Sequence, residues 1–245
     1  MKFIKSTGYL LLRIWFYMLM ALPIIVFFPI LIVLILKDTW YKYFFIWARL
    51  WAAIVLYGCG FIPQCKNGIF NVPMQSFMFV ANHTSMLDIM MMLFTVKNPF
   101  VFVGKKELTK IPIFGFFYKR TCIVVDRNSL KSRKEVFSQA NKKILLGYSI
   151  CIFPEGGVPD ESVVLDTFKE GAFRLAIDHQ LPVVPLVFPD NKKRFSYTFF
   201  SGSLGRTRSY ILEKVQTFSL DLKQKNDLKL KVRNLILDKL NTDKK

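Results

Sequence analysis

The stretch Phe79-Val80-Ala81-Asn82-His83-Thr84-Ser85-Met86-Leu87-Asp88 decides how this chain is read. It opens as an apolar strand, ends that strand at Asn82, and places a histidine where the strand stops. Two small hydroxyl residues and an acidic group follow, and then an apolar run, Ile89–Val96, that reads as a helix. A histidine suits general-base work because its unperturbed pKa lies near working pH. A carboxylate such as Asp88 would fix the tautomer of that base and stabilise the imidazolium it becomes. Of the two histidines in the chain, His83 is the one beside such chemistry. Ser85 to Asp88 also fits a capping box, with the acid answering the first amides of a helix. Spacing alone leaves the catalytic and the capping readings open.

Working outward, apolar runs of strand length recur at Phe77–Ala81, Phe100–Val103, Cys122–Val125, Ile150–Phe153 and Val183–Phe188. Helical candidates lie between them at Ile89–Val96, Ser132–Leu146 and Lys169–Asp178. This alternation predicts an α/β fold, with a mostly parallel sheet flanked by helices. Strands apolar along their whole length are what a sheet buried on both faces requires. In such sheets functional groups collect beyond the carboxyl ends of the strands. That rule gathers Asn82 and His83, then Lys105 and Lys106, then Asp126 and Arg127, then Glu155, Gly156 and Gly157. Pro185 falls inside the fifth strand. A last helix is expected over Asn226–Leu240, where Leu228, Val232, Leu235, Ile236 and Leu240 follow helical spacing and Asn226 or Asp227 would cap.

The chain has 245 residues, 52% of them hydrophobic, and its mean hydropathy is +0.31. The excess sits near the N-terminus. Ile14 to Leu36 carries no charge and is long enough to cross about 30 Å of hydrocarbon, although Pro23 and Pro29 would kink it. Lys37, Asp38 and Lys42 break the run amid interfacial aromatics, and a second apolar stretch from Phe44 to Ile62 contains Arg49. The expectation is a hydrophobic helical hairpin over residues 1–62 that holds the protein in a membrane, with residues 63–245 as the α/β domain. Net charge is +18, which calls for a polyanionic partner, and hydrophobicity beside positive charge favours a lipid surface over nucleic acid. No aromatic-basic RNA motif or helix-turn-helix spacing supports nucleic acid. The four cysteines form no CxxC pair, so they read as free thiols, and no metal site is expected.

The motifs NHTSMLD, KKELTKIPIFG, IVVDR, FPEGG, FKEGAFRLA and VVPLVF, in this order between Phe77 and Phe188, resemble the glycerolipid acyltransferase family. Within it the chain is similar to 1-acylglycerol-3-phosphate acyltransferases. The resemblance implies transfer of a fatty acyl group from acyl-CoA or an acyl carrier protein to a lysophospholipid, lysophosphatidic acid above all. It implies no cofactor beyond that co-substrate, and a membrane-bound enzyme working at the cytoplasmic face. His83 would be the general base and Asp88 its orienting carboxylate. Lys105 and Arg127 would bind the acceptor phosphate, Glu155 would bind the acceptor or brace the site, and amides near Gly156 and Gly157 would face the oxyanion. One departure stands out. The family's Glu-Gly-Thr-Arg reads Glu155-Gly156-Gly157-Val158 here, so a phosphate-binding arginine is missing and a lyso-aminolipid or other lysophospholipid acceptor stays open. A membrane-anchored lipid-binding protein without activity is the alternative of a different class, and the presence of both His83 and Asp88 speaks against it.

Overall fold

The computed structural model describes residues 2–126 and 129–243. In chain order the helices and strands begin with α1 (Lys2–Val26), α2 (Phe28–Leu34), α3 (Tyr41–Gly58), β1 (Phe61–Cys65), β2 (Met78–Ala81) and α4 (Leu87–Thr95). They continue with β3 (Phe100–Lys105), α5 (Phe114–Thr121), β4 (Ile123–Val125), α6 (Leu130–Leu145) and β5 (Ser149–Ile152). The last are α7 (Gly171–Asp178), β6 (Val183–Val187), α8 (Asn191–Arg194), β7 (Gly205–Ile211) and α9 (Lys225–Thr242). They form two compact units, each assembled from separate stretches of chain. One comprises Met1–Ile69, Thr84–Lys97 and Phe188–Tyr210; the other comprises Phe70–His83, Asn98–Val187 and Ile211–Lys245.

The second unit holds a five-stranded parallel sheet in the order β6-β2-β5-β3-β4. All five strands were legible as apolar runs, and burial gives the reason. Phe77, Met78, Phe79, Val80, Ile150, Cys151, Val183, Val184 and Leu186 are fully buried, so both faces of the sheet are covered. Each such aromatic or aliphatic side chain contributes about 1.5–3 kcal/mol by leaving water. Gly104 in β3 lets α5 approach: a Cβ there would stand 1.8 Å from the Tyr118 hydroxyl oxygen. In α9, Leu228, Val232, Ile236 and Leu240 are buried at every fourth position, while Lys231 between them is exposed and Lys229 and Lys239 are half-buried. The start signal for α9 is neither Asn226 nor Asp227. Asp221 and Gln224 form a reciprocal capping box over a short 3-10 turn, and the α-helix runs on from there.

The first unit is built on an antiparallel pair, α1 and α3. The Trp15 indole donates to the Gly58 carbonyl at 2.7 Å, and the Trp51 indole to the Met20 carbonyl at 3.0 Å. The uncharged run Ile14–Leu36 is not one continuous helix. It breaks at Phe27, and Pro29 falls in the first turn of α2, where its missing N–H has no intrahelical partner to lose. Ser6–Val26 is long and apolar enough to cross a membrane, with a mean hydropathy of 2.0. Arg49, from the apolar α3, donates to the Leu93 carbonyl at 3.0 Å and to the Phe94 carbonyl at 3.5 Å, satisfying carbonyls in the last turn of α4. Two strands escape a search for apolar runs. β1 contains Pro63 and continues an apolar stretch without pause, and β7 alternates charged with small polar residues; they pair in parallel, Phe61 opposite Gly205.

Candidate active site

Strand ends in the five-stranded sheet carry the chemistry-bearing residues. His83 follows β2, Lys105 closes β3, Asp126 follows β4, and Glu155 lies just past β5. The His83 ring is half-buried and lies flat on the Phe153 ring, with centroids 4.3 Å apart and planes 20° from parallel. Phe102 of β3 stacks on the other partner of that pair, its centroid 6.1 Å from that of Phe153. The imidazole therefore rests on an aromatic floor supplied by the neighbouring strands, which fixes the plane of the ring. Phe153 was not among the residues picked out as functional. Its signal was its place at the end of an apolar strand, immediately before the Pro-Glu-Gly turn.

Glu155 is 4% exposed, and its carboxylate is used as a staple. One oxygen accepts from the His83 amide at 2.7 Å, and the other accepts from the Asp166 amide at 2.9 Å. The loop that leaves Glu155 is held a second time by Arg233 of α9, which donates to the carbonyls of Leu165 and Asp166. Gly156 has φ +78°, a conformation that glycine adopts without strain, and its amide donates to the Phe153 carbonyl at 3.1 Å. Gly156 thus spends its N–H on closing the turn, while the Cα of Gly157 faces open space.

Asp88 belongs to the other unit and is completely buried. One carboxylate oxygen accepts from the amides of Thr84 at 2.6 Å and Ser85 at 2.8 Å. The second accepts from the Asn191 side-chain amide at 2.8 Å. The capping reading is therefore realised in part: Asp88 satisfies amides just ahead of α4, and Ser85 Oγ accepts from the Leu87 amide. Asn191 was missed by sequence reasoning, since nothing in Phe-Pro-Asp-Asn distinguishes it from a turn. It is fully buried, and its carbonyl oxygen has no hydrogen-bond partner. Its neighbour Asp190 is gripped by Arg208 of β7 through the backbone amide at 2.9 Å, Nε at 2.7 Å and Nη2 at 2.6 Å. Burial pushes the Asp190 carboxyl up, but the hydrogen bonds and charge of Arg208, aided by Arg194, outweigh it and hold the carboxyl below its ordinary value.

Lys105 is exposed, and Lys106 pairs with Asp126 at 3.3 Å across a solvated gap. Lys106, Lys119 and Lys131, with Asp126 and Glu135, line an open cavity of about 450 Å³ beside β4; His83, Lys105 and Glu155 do not line it. Arg127, expected on the acceptor phosphate, lies outside the described residues. Burial pushes the Cys122 thiol up to about 12 and Cys151 well above its ordinary value, which leaves neither as a thiolate nucleophile.

The profile of the family described as Acyltransferase matches residues 65–189, which include β2 through β6. The 1-acyl-sn-glycerol-3-phosphate acyltransferase of Haemophilus influenzae is 35% identical over 128 residues, 51% of this chain and 51% of that protein. The protein of the same name from Borreliella burgdorferi is 26% identical over 202 residues, 82% of this chain and 80% of its own length. Elsewhere the match spans about half the length of the curated relatives, as with Helicobacter pylori, where it covers 58% of that protein. Among solved structures, the 1-acyl-sn-glycerophosphate (LPA) acyltransferase PlsC from Thermotoga maritima superposes with a TM-score of 0.78 at 20% identity, covering 100% of this chain and 98% of that one, and so shares the fold. On the strength of the family match over half its length, this chain belongs to the Acyltransferase family.

Proposed function

We propose that the protein transfers a fatty acyl group from an acyl thioester, acyl-CoA or acyl carrier protein, to the free hydroxyl of a lysophospholipid. The acceptor favoured by the relatives is 1-acylglycerol-3-phosphate, giving phosphatidic acid. The observation that carries this reading is the placement of the family's His-x4-Asp element: His83 stands at the carboxyl end of β2, on an aromatic floor, and Asp88 is a buried carboxylate that accepts from the Thr84 and Ser85 amides and the Asn191 side chain.

In this mechanism the neutral imidazole of His83 takes the proton from the acceptor hydroxyl as its oxygen attacks the thioester carbonyl carbon. Asp88 orients His83 and balances the imidazolium charge. The tetrahedral oxyanion meets the amide of Gly157, because Gly156 is committed to its turn. Collapse breaks the C–S bond, the imidazolium proton goes to the thiolate, and a new ester and a free thiol leave. Glu155 serves as a brace, since its two oxygens hold the His83 amide and the acidic loop. Lys105 and Arg127 are the proposed phosphate ligands. Residues 1–62 attach the chain to the membrane with the catalytic edge on the cytoplasmic side, and the +18 charge draws it to anionic lipid or to an acidic carrier protein.

A second reading rests on one observation. From Glu155 to Thr167 the chain carries Glu155, Asp160, Glu161 and Asp166 and no cation, with Val158 where the family has arginine. An acceptor bearing an amine suits that loop better than a phosphate monoester. The discriminating assay supplies membranes holding the protein with labelled acyl-CoA or acyl carrier protein and a panel of lysolipids, lysophosphatidic acid and a lyso-aminolipid among them. Labelled phosphatidic acid supports the first reading and a labelled aminolipid the second. Incorporation that His83→Ala leaves intact sinks both.

A further inference from the structure

The segment between α8 and β7 inverts the usual make-up of a surface loop. Loops normally turn their backbone carbonyls to water and tuck apolar side chains inward. Here two arginines collect the carbonyls. Arg13, from the middle of α1 and only 7% exposed, donates to Phe199 O at 2.6 Å, Ser196 O at 2.7 Å and Thr198 O at 2.8 Å. Arg194 donates to Leu204 O at 2.8 Å, to Arg206 O at 2.9 Å and to the Ser203 hydroxyl at 2.8 Å. The apolar side chains point the other way: Tyr197 is 49% exposed, Phe199 46%, Phe200 57% and Leu204 57%.

Irregular backbone is tolerated at membrane depth only where its polar groups are satisfied within the protein. The carbonyls of Ser196, Thr198, Phe199 and Leu204 meet that condition through the two arginines, and water would not require it. It is also continuous with the apolar surface of α1. The Arg13 guanidinium stands 4.8 Å from the Phe195 ring and 4.9 Å from the Phe199 ring, and Phe16 stacks on Phe195 at 4.3 Å. Beside these contacts Leu10, Ile14, Tyr17 and Met18 of α1 are exposed. Lys192, Lys193 and Arg206 flank the aromatic tip, and Lys193 and Arg206 are exposed. Aromatic rings bordered by cations match the acyl-to-phosphate boundary of an anionic leaflet.

We propose that the Tyr197–Leu204 loop is a second membrane contact, which seats beside α1 with Phe199 and Phe200 among the acyl chains of an anionic leaflet and the flanking cations at the phosphates. This rests on the reading of α1 as the membrane attachment. Arg13 is the clip that keeps loop and helix at one depth.

The test uses the full chain with Phe200→Cys or, separately, Lys193→Cys, each carrying a nitroxide, bound to phosphatidylcholine vesicles with and without phosphatidylglycerol. The unsubstituted chain taken through the same labelling supplies the background from native thiols. The expected result is a label at position 200 relaxed by oxygen and shielded from a water-soluble nickel chelate, and a label at position 193 open to nickel. Replacing both Phe199 and Phe200 by alanine should weaken retention on the anionic vesicles by about tenfold, because two half-exposed rings lose their lipid contact. A nickel-accessible label at position 200 on a chain that still floats with vesicles overturns the loop contact and leaves membrane attachment standing. Spin–spin broadening between two labels at position 200 overturns it in favour of a second copy of the chain. Failure of the unsubstituted chain to float overturns the attachment reading itself.

Discussion

Two buried carboxylates hold successive amides of the chain and do so in opposite ways. Glu155 takes the amide of His83 and, with its other oxygen, an amide eleven residues further on, at Asp166. Asp88 takes the amides of Thr84 and Ser85 from its own turn and presents its second oxygen to a side chain, Asn191. Glu155 meets backbone that cannot rearrange. Asp88 meets an amide side chain that can turn over, and whose carbonyl oxygen has no other partner. The difference separates a carboxylate held by backbone at both oxygens from one whose second oxygen meets a side chain.

The largest effect concerns the proposed general base. His83→Ala should lower acyl transfer by about 10²- to 10⁴-fold with the fold intact, measured with labelled thioester and by circular dichroism. Asp88→Asn sharpens the comparison: the new side chain keeps an oxygen for Thr84 and Ser85, and Asn191 can rotate to offer its carbonyl to the new amide. Activity should fall about 10²-fold or more while thermal stability moves little. Glu155→Gln should behave the other way round, since a donor would then face the amide of His83 or of Asp166. Stability should fall by about 1–3 kcal/mol, with the loop from Gly156 to Phe168 becoming an early protease site and a smaller loss in kcat. If the stability losses of these two variants are reversed, the distinction drawn here breaks.

The smallest effect is in acid. The Asp190 carboxyl is held below its ordinary value in the folded chain, so its contribution is present above the unfolded value and is lost as pH falls through the folded one. Wild type should therefore lose stability below about pH 4, and Asp190→Asn should show a flatter profile there with a lower plateau near neutrality, read from urea midpoints at each pH.

The sheet was readable because burial on both faces leaves β2 and β6 wholly apolar and β5 apolar after Ser149. His83 and Asp88 were readable because a strand end and a short spacing are local facts. What lay beyond reach was long-range. Phe153 reaches the His83 ring, and Asn191 reaches Asp88, across separations that no window along the chain connects. β7 was hidden for a different reason: its outward positions are arginines, one of which is spent on Asp190, so it never forms an apolar run.

Arg49 sets a limit on how this chain can evolve toward lipid. An aliphatic residue in its place would make α3 a better membrane helix, and would strand the carbonyls of Leu93 and Phe94 at the tail of the helix that begins beside Asp88. Selection for deeper insertion and selection for a steady α4 pull against each other at a single position. The present sequence keeps the cation, and among the described residues only α1 is apolar and long enough to cross a bilayer.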